Sequence, residues 1–385
     1  MSSLMDAECY KLLIHLPLTP LRYRPAQLPF TTPRLSSRRY KGKLQLNLLY
    51  GRPRGIVMTN RNHISAVEKA EPEKLDHFGD NDEPKGTQLR KRIVYGLMIG
   101  LSGGAVVLAG GLIFTAAMTV ATFFAAREYF VLVRSRDIAA GITPPPTYLS
   151  SICSFICTAM PFLTLYFGHI DRWVSFAAFA IVMTLLLKKR NPRFSQLSST
   201  MFGLFYCGYF PCFWVKLRCG IAVPALNTKI ATVWPQFLGG NAHWTVGLVT
   251  TLIAICGIIA ADTFAFIGGK AFGRTPLTNI SPKKTWEGVI SGLCGCIAVS
   301  VLLSKVLGWP LSLPSIIAFA FLNFIGSLFG DLMESMMKRE AGVKDSGSLI
   351  PGHGGILDRF DSYIFSGALS YSFVKTFLRL YGTPC

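Results

Sequence analysis

Asp358 and Asp361 stand three residues apart in "ILDRFDS", so on a helix both fall on one face of the first turn. Two carboxylates placed so suit a hard cation such as Mg²⁺, which takes oxygen ligands. A helix dipole accounts for one such acid but leaves its neighbours unexplained. Asp331 ends the preceding apolar run, "FLNFIGSLFGD". At about 100° per residue, Ser335 lies roughly 40° from Asp331, Lys338 roughly 20° and Arg339 roughly 80°. One face thus shows an acid, a hydroxyl and two cations. Lys338 and Arg339 alone would suit a helix leaving a bilayer, whereas Asp331 lies two turns deeper, where a carboxylate needs a reason. Between these helices runs "VKDSGSLIPGHGG", with Lys344, Asp345, Gly352, His353, Gly354 and Gly355. Glycine backbone leading into a helix N-terminus can cradle phosphate, and so can an ordinary loop of this composition connect two helices.

The block Asp331–Ser362 holds ten formally charged residues. Acids for a metal, cations for phosphate and a yielding backbone together make the kit for displacement at phosphorus. Walker A and H-E-x-x-H are both missing, which sets aside NTPase and metalloprotease chemistry. A second stretch, "DTFAFIGGKAFGRTPLTNISPKKTWEG", places Asp262 inside an apolar segment, where a carboxylate is costly and usually functional. Its Lys270, Arg274, Lys283 and Lys284 fit a headgroup or nucleotide contact as well as an ordinary basic loop.

The elements that position these residues are greasy. Of 385 residues, 51% are hydrophobic and 15% charged, against about a quarter charged in soluble domains. Ile93–Ala126, Ile138–Ile170 and Val306–Gly330 contain no charged residue. About 20 apolar residues span a bilayer as a helix, and no barrel-type alternation is present. The expected fold is an all-α polytopic membrane protein with an intramembrane polar site. About nine helices are expected, near 93–109, 111–126, 148–168, 172–187, 199–215, 245–268, 286–307, 313–332 and 360–380. "LAGGLIF" is the place for the first pair to turn. No repeat and no inverted pair of broken segments points to a transporter.

Residues 1–67 hold 11 Lys or Arg against Asp6 and Glu8, about half of the net charge of +19. An acid-poor, Arg-rich start is expected to be an organelle transit peptide, plastid or mitochondrial, with a lipid-gripping tail as the plainer alternative. Residues 68–90 form an acidic, polar linker, and 91–385 the multi-helix catalytic domain. Arg90-Lys91-Arg92 marks the side that retains its charge. Nucleic acid is not an expected partner, because the basic excess lies in a tail without a binding motif. The ten cysteines form no C-x-x-C pair and no zinc framework; Cys153 and Cys157 read as small hydrophobes in a membrane helix.

"SMMKREAGVKDSGSLIPGHGGILDRFD" resembles the signature of phosphatidate cytidylyltransferases, the CDP-diacylglycerol synthases. Ser335, Lys338, Arg339, Lys344, Asp345, Pro351, Gly352, His353, Gly354, Gly355, Asp358, Arg359 and Asp361 meet it without departure. The 262–288 stretch resembles the family's second recurrent segment. The resemblance implies that CTP and phosphatidic acid give CDP-diacylglycerol and pyrophosphate. It implies a Mg²⁺ centre on Asp331, Asp358 and Asp361, with Lys338, Arg339 and Lys344 as further catalytic groups. Substrate contacts are then expected from Ser335, Asp345, Gly352, His353, Gly354, Gly355, Arg359, Asp262, Lys283 and Lys284. A presequence on such a core looks like the plastid form, in the inner envelope and feeding phosphatidylglycerol synthesis, with the mitochondrial inner membrane as the alternative; a homodimer is admitted. The rival readings are a CTP-dependent dolichol- or phytol-type kinase and a non-enzymatic transporter. A transporter would spread its buried charges over several helices, whereas these cluster between residues 262 and 361.

Overall fold

The computed structural model describes residues 100–188, 191–225, 243–278, 283–308, 312–347 and 354–380, with Gly96, Met98 and Ser281. The expected presequence, the linker and Arg90-Lys91-Arg92 lie outside the described residues, as do Gly352 and His353. Among the described residues the chain is helical, with only two isolated bridges, Pro224 to Thr245 and Pro276 to Thr285.

α1 (Gly100–Ala109) and α2 (Gly111–Ala139) meet at Gly110, whose φ of 61° is left-handed. That is the turn expected at "LAGGLIF". Arg218 fixes it by donating to Val107 O at 2.8 Å and Leu108 O at 3.2 Å, which satisfies carbonyls the ended helix leaves open. A Cβ at Gly110 would run into that guanidinium. α3 (Thr147–Phe167) ends at left-handed Gly168, and α4 (Ile170–Lys188) follows directly. The helix expected at 199–215 is instead broken. α5 (Phe194–Gly203) passes into a π-helical turn, Leu204–Tyr209, and Pro211 then precedes α6 (Cys212–Gly220). Proline lacks the N–H that would continue the ladder.

α7 (Val246–Phe272) and α8 (Trp286–Leu307) begin at Thr245 and Thr285, whose hydroxyls accept from Leu248 N and Gly288 N, each at 3.2 Å. They pack closely through small residues: a Cβ at Gly292 would stand 2.8 Å from Ala261 O. α9 (Leu313–Glu340) and α10 (Leu357–Leu380) pack together in the same way, with Gly326 against the Ser366 backbone and Gly330 against the Asp361 carbonyl.

Among the described residues six helices, α2, α3, α4, α7, α8 and α9, are long and apolar enough to cross a membrane. The class is as expected; the nine crossings are not reproduced among the described residues. α1 spans only ten of them, the 199–215 segment is broken, and α10 carries Asp358, Arg359, Asp361, Lys375 and Arg379. Large apolar side chains face outward, with Leu187 77% and Phe155 75% exposed, as lipid contact requires. Cys153 and Cys157 are buried and unbridged, as small hydrophobes should be.

Candidate active site

α9 runs past the last apolar turn to Glu340, so it carries Asp331, Glu334, Ser335 and Lys338 into the protein interior. Ser335 Oγ lies 3.4 Å from Asp331 Oδ1, on the shared face the spacing requires. Lys338 Nζ reaches Glu334 Oε2 at 2.9 Å, one turn back, and Asp358 Oδ1 on α10 at 2.7 Å. The Glu334 side chain is wholly buried, and its second oxygen, Oε1, has no hydrogen-bond partner.

α10 starts at Leu357, which puts Asp358 in its first turn. Asp358 Oδ2 accepts from Ser346 N at 2.9 Å, Ser346 Oγ at 3.0 Å and Gly355 N at 2.9 Å. The loop's backbone therefore converges on this carboxylate. Gly354 has φ 81°, the left-handed region, and glycine allows it there without strain. Asp361, one turn on, is buried, with Oδ1 accepting from Ser362 N at 2.7 Å.

On the other side of Asp331 a cavity of about 460 Å³ opens between α7, α9 and the loop before α8. Asp262, Lys270, Lys283, Lys284 and Asp331 line it together with Phe266, Phe324 and Leu328. The Lys284 ammonium pairs with the Asp331 carboxylate. Asp262 faces the charges of Asp331, Asp361 and Lys284. The two stretches singled out in the sequence thus meet at Asp331, although Lys284 and Asp331 are 47 positions apart. Lys344, Asp345, Arg339 and Arg359 are exposed.

Five carboxylates (Asp262, Asp331, Glu334, Asp358, Asp361) therefore share two lysines, Lys284 and Lys338. The excess of negative charge is expensive away from water. Among the described residues no three metal-binding side chains are already gathered as a ligand set. The donors nonetheless fit a hard divalent ion: every one is a carboxylate oxygen, Glu334 Oε1 is orphaned, and the charge is in deficit of cations.

Sequence reasoning left Glu334 without a role and passed over Ser346 and Glu128. Glu128 lies at the edge of an uncharged run, where the helix was expected to stop at 126; α2 instead continues to Ala139 and buries Glu128. The one signal for it was an acid directly following 34 uncharged residues and Arg127.

The model of the family described as "Cytidylyltransferase family" matches residues 90–377. The chain is 60% identical to "Phosphatidate cytidylyltransferase 4, chloroplastic" of Arabidopsis thaliana, covering 92% of this chain and 94% of that protein. It is 58% identical to "Phosphatidate cytidylyltransferase 5, chloroplastic" of the same plant, over 92% of this chain and 97% of that one. A "Phosphatidate cytidylyltransferase" of Synechocystis is 40% identical over 74% of this chain and 95% of its own. With the family model spanning the whole helical region in which Asp262, Asp331, Asp358 and Asp361 meet, the chain belongs to the cytidylyltransferase family.

Proposed function

We propose that the chain is a phosphatidate cytidylyltransferase of a plastid membrane, joining CTP to phosphatidic acid and releasing pyrophosphate. The observation that carries this reading is the carboxylate and lysine group around Asp331 and Lys338, set between membrane-grade helices beside a partly apolar cavity. The names of its relatives, chloroplastic in the two plant proteins, support the same substrate and compartment. A kinase or a transporter is not favoured by them.

Phosphatidate already carries an oxyanion, so attack on the α-phosphorus of CTP needs no strong base. Its oxygen forms the new P–O–P bond while the α–β bridging bond breaks and pyrophosphate leaves with those electrons. The barrier is repulsion between anions, and fixed cations lower it. Lys270, Lys283 and Lys284 line the cavity where an anionic headgroup enters, and Phe266, Phe324 and Leu328 offer acyl-compatible wall. Lys338 holds Glu334 and Asp358 in register. Asp331, Asp358 and Asp361, with Asp262 and Glu334 beside them, would hold Mg²⁺. When bound, the ion supplies charge neutralisation at the phosphoryl oxygens. Gly352, His353 and Gly354 are assigned to the CTP phosphates, with Gly355, Ser335, Asp345, Arg359, Lys344 and Arg339 around the same loop. The finer parts of the reading are an inner-envelope location, residues 1–67 as the presequence, Mg²⁺ as the ion and a homodimer as the assembled form.

The test is the leaving group. Purified full-length chain given CTP should release pyrophosphate only when phosphatidate is added, one for each CTP consumed. Release of CDP with a polyprenol or phytol, and no pyrophosphate, would overturn the reading in favour of a kinase.

A further inference from the structure

Glu128 sits on α2, more than 200 positions before the loop it touches, and belongs to neither recurrent stretch. It is 5% exposed. Its carboxylate accepts from Ile356 N at 3.0 Å and Leu357 N at 2.8 Å, two N–H groups at the start of α10. Its Oε2 also lies 3.0 Å from Ser346 Oγ, whose one proton serves this carboxylate or that of Asp358 in turn. The same Ser346 hydroxyl lies 3.0 Å from Asp358 Oδ2, so one serine links Glu128 to an acid of the site.

Two loop glycines are fitted to this carboxylate. A Cβ at Gly347 would stand 2.7 Å from Glu128 Oε1, and one at Gly355 would run into Glu128 Oε2 and Ser346 Oγ. Neither glycine has a left-handed backbone; among the described residues beside them the positive φ falls on Gly354. What they need is the space.

We propose that Glu128 is a positioning residue of the transferase site: it pins Ser346 and the turn at Ile356 and Leu357 to α2, and Gly347 and Gly355 are glycines because its carboxylate fills the room of their Cβ atoms. The proposal rests on the phosphatidate cytidylyltransferase reading of that site. Only a carboxylate offers an acceptor oxygen to each of the two N–H groups, Oε1 to Ile356 and Oε2 to Leu357, with Ser346 Oγ beside Oε2. A negative charge is also favoured at a helix N-terminus. Glutamine turns an NH₂ towards N–H or O–H donors, while aspartate keeps the charge but falls one methylene short. Pinning these residues fixes Asp358 in the first turn of α10 and Asp361 one turn on, because the helix begins at the N–H groups Glu128 holds.

The test compares wild type, Glu128→Gln and Glu128→Asp as full-length chains in detergent, with kcat, KM for each substrate and thermal unfolding measured together. Glu128→Gln should lower kcat about 10-fold or more at a KM for phosphatidate close to wild type, and Glu128→Asp should recover part of the loss. A second readout needs no turnover. Lys344 is exposed beside the loop, and trypsin should cut after it several-fold faster in Glu128→Gln than in wild type. If Glu128→Gln does not fold, Gly347→Ala attacks the same contact from the loop side. It should slow turnover and speed that cleavage, and less so on a Glu128→Asp background. Wild-type kcat in Glu128→Gln, or unchanged cleavage after Lys344, would overturn the proposal. A wild type that transfers nothing strikes the transferase reading instead, and the cleavage rates still judge Glu128.

Discussion

Lys338 Nζ stands 2.7 Å from Asp358 Oδ1, and this ion pair ties the end of α9 to the first turn of α10. The same ammonium is 2.9 Å from Glu334, whose side chain is wholly buried. One lysine therefore keeps two acids of the site at a fixed spacing.

Removing that lysine should leave two carboxylates in the interior without their cation. Lys338→Met is expected to destabilise the chain by about 3 kcal/mol and to abolish cytidylyl transfer. Thermal unfolding and turnover of the purified variant check both. A variant as stable and active as wild type would mean that Lys338 is only a surface charge.

The pair on the cavity side behaves differently, because Lys284 and Asp331 are both partly exposed to it. Lys284→Met should alter stability by less than about 1 kcal/mol while lowering transfer about 100-fold. Equal losses of folding and activity would contradict a substrate-facing role.

Five carboxylates sharing two lysines leave a charge that a divalent ion would balance. Chelation by EDTA should bring turnover to background, and Mg²⁺ should restore it. Asp361→Asn should raise the Mg²⁺ needed for half-maximal turnover. Full activity in EDTA would remove the metal from the account.

Gly330 faces the Asp361 backbone carbonyl where α9 crosses α10, and backbone cannot step aside. Gly330→Ala should cost about 1–3 kcal/mol and displace Asp361, with activity falling alongside. Gly103, with nothing within 4 Å of its Cβ position, is the control: Gly103→Ala should stay within about 0.5 kcal/mol.

The residues that do the chemistry were readable because membrane context makes them conspicuous. Asp262 and Asp331 interrupt apolar runs, and Asp358 and Asp361 share a helical face, all patterns that survive in one dimension. That Lys284 would meet Asp331 was not readable, since the pairing depends on how α7, α8 and α9 pack through Gly288 and Gly292. Glu334 was visible but uninterpretable, being one of several charges at a helix end until its burial was known. Glu128 was hidden for another reason: its partners are backbone N–H groups more than 200 positions away, which leave no side-chain pattern. Helix ends failed where charges were taken as boundaries, at 126 and 332, because α2 and α9 carry buried charges beyond their apolar turns. The helix expected at 199–215 failed on Pro211, a breaker present in the sequence.

The most direct measurement gives membranes containing the chain CTP labelled at the α-phosphate, phosphatidic acid and Mg²⁺, with Asp358→Asn alongside. Label should move into chloroform-soluble lipid with wild type and stay in the aqueous phase with the variant. Label remaining in water as CDP, or CTP left untouched while phosphatidate and Mg²⁺ are present, would contradict the account.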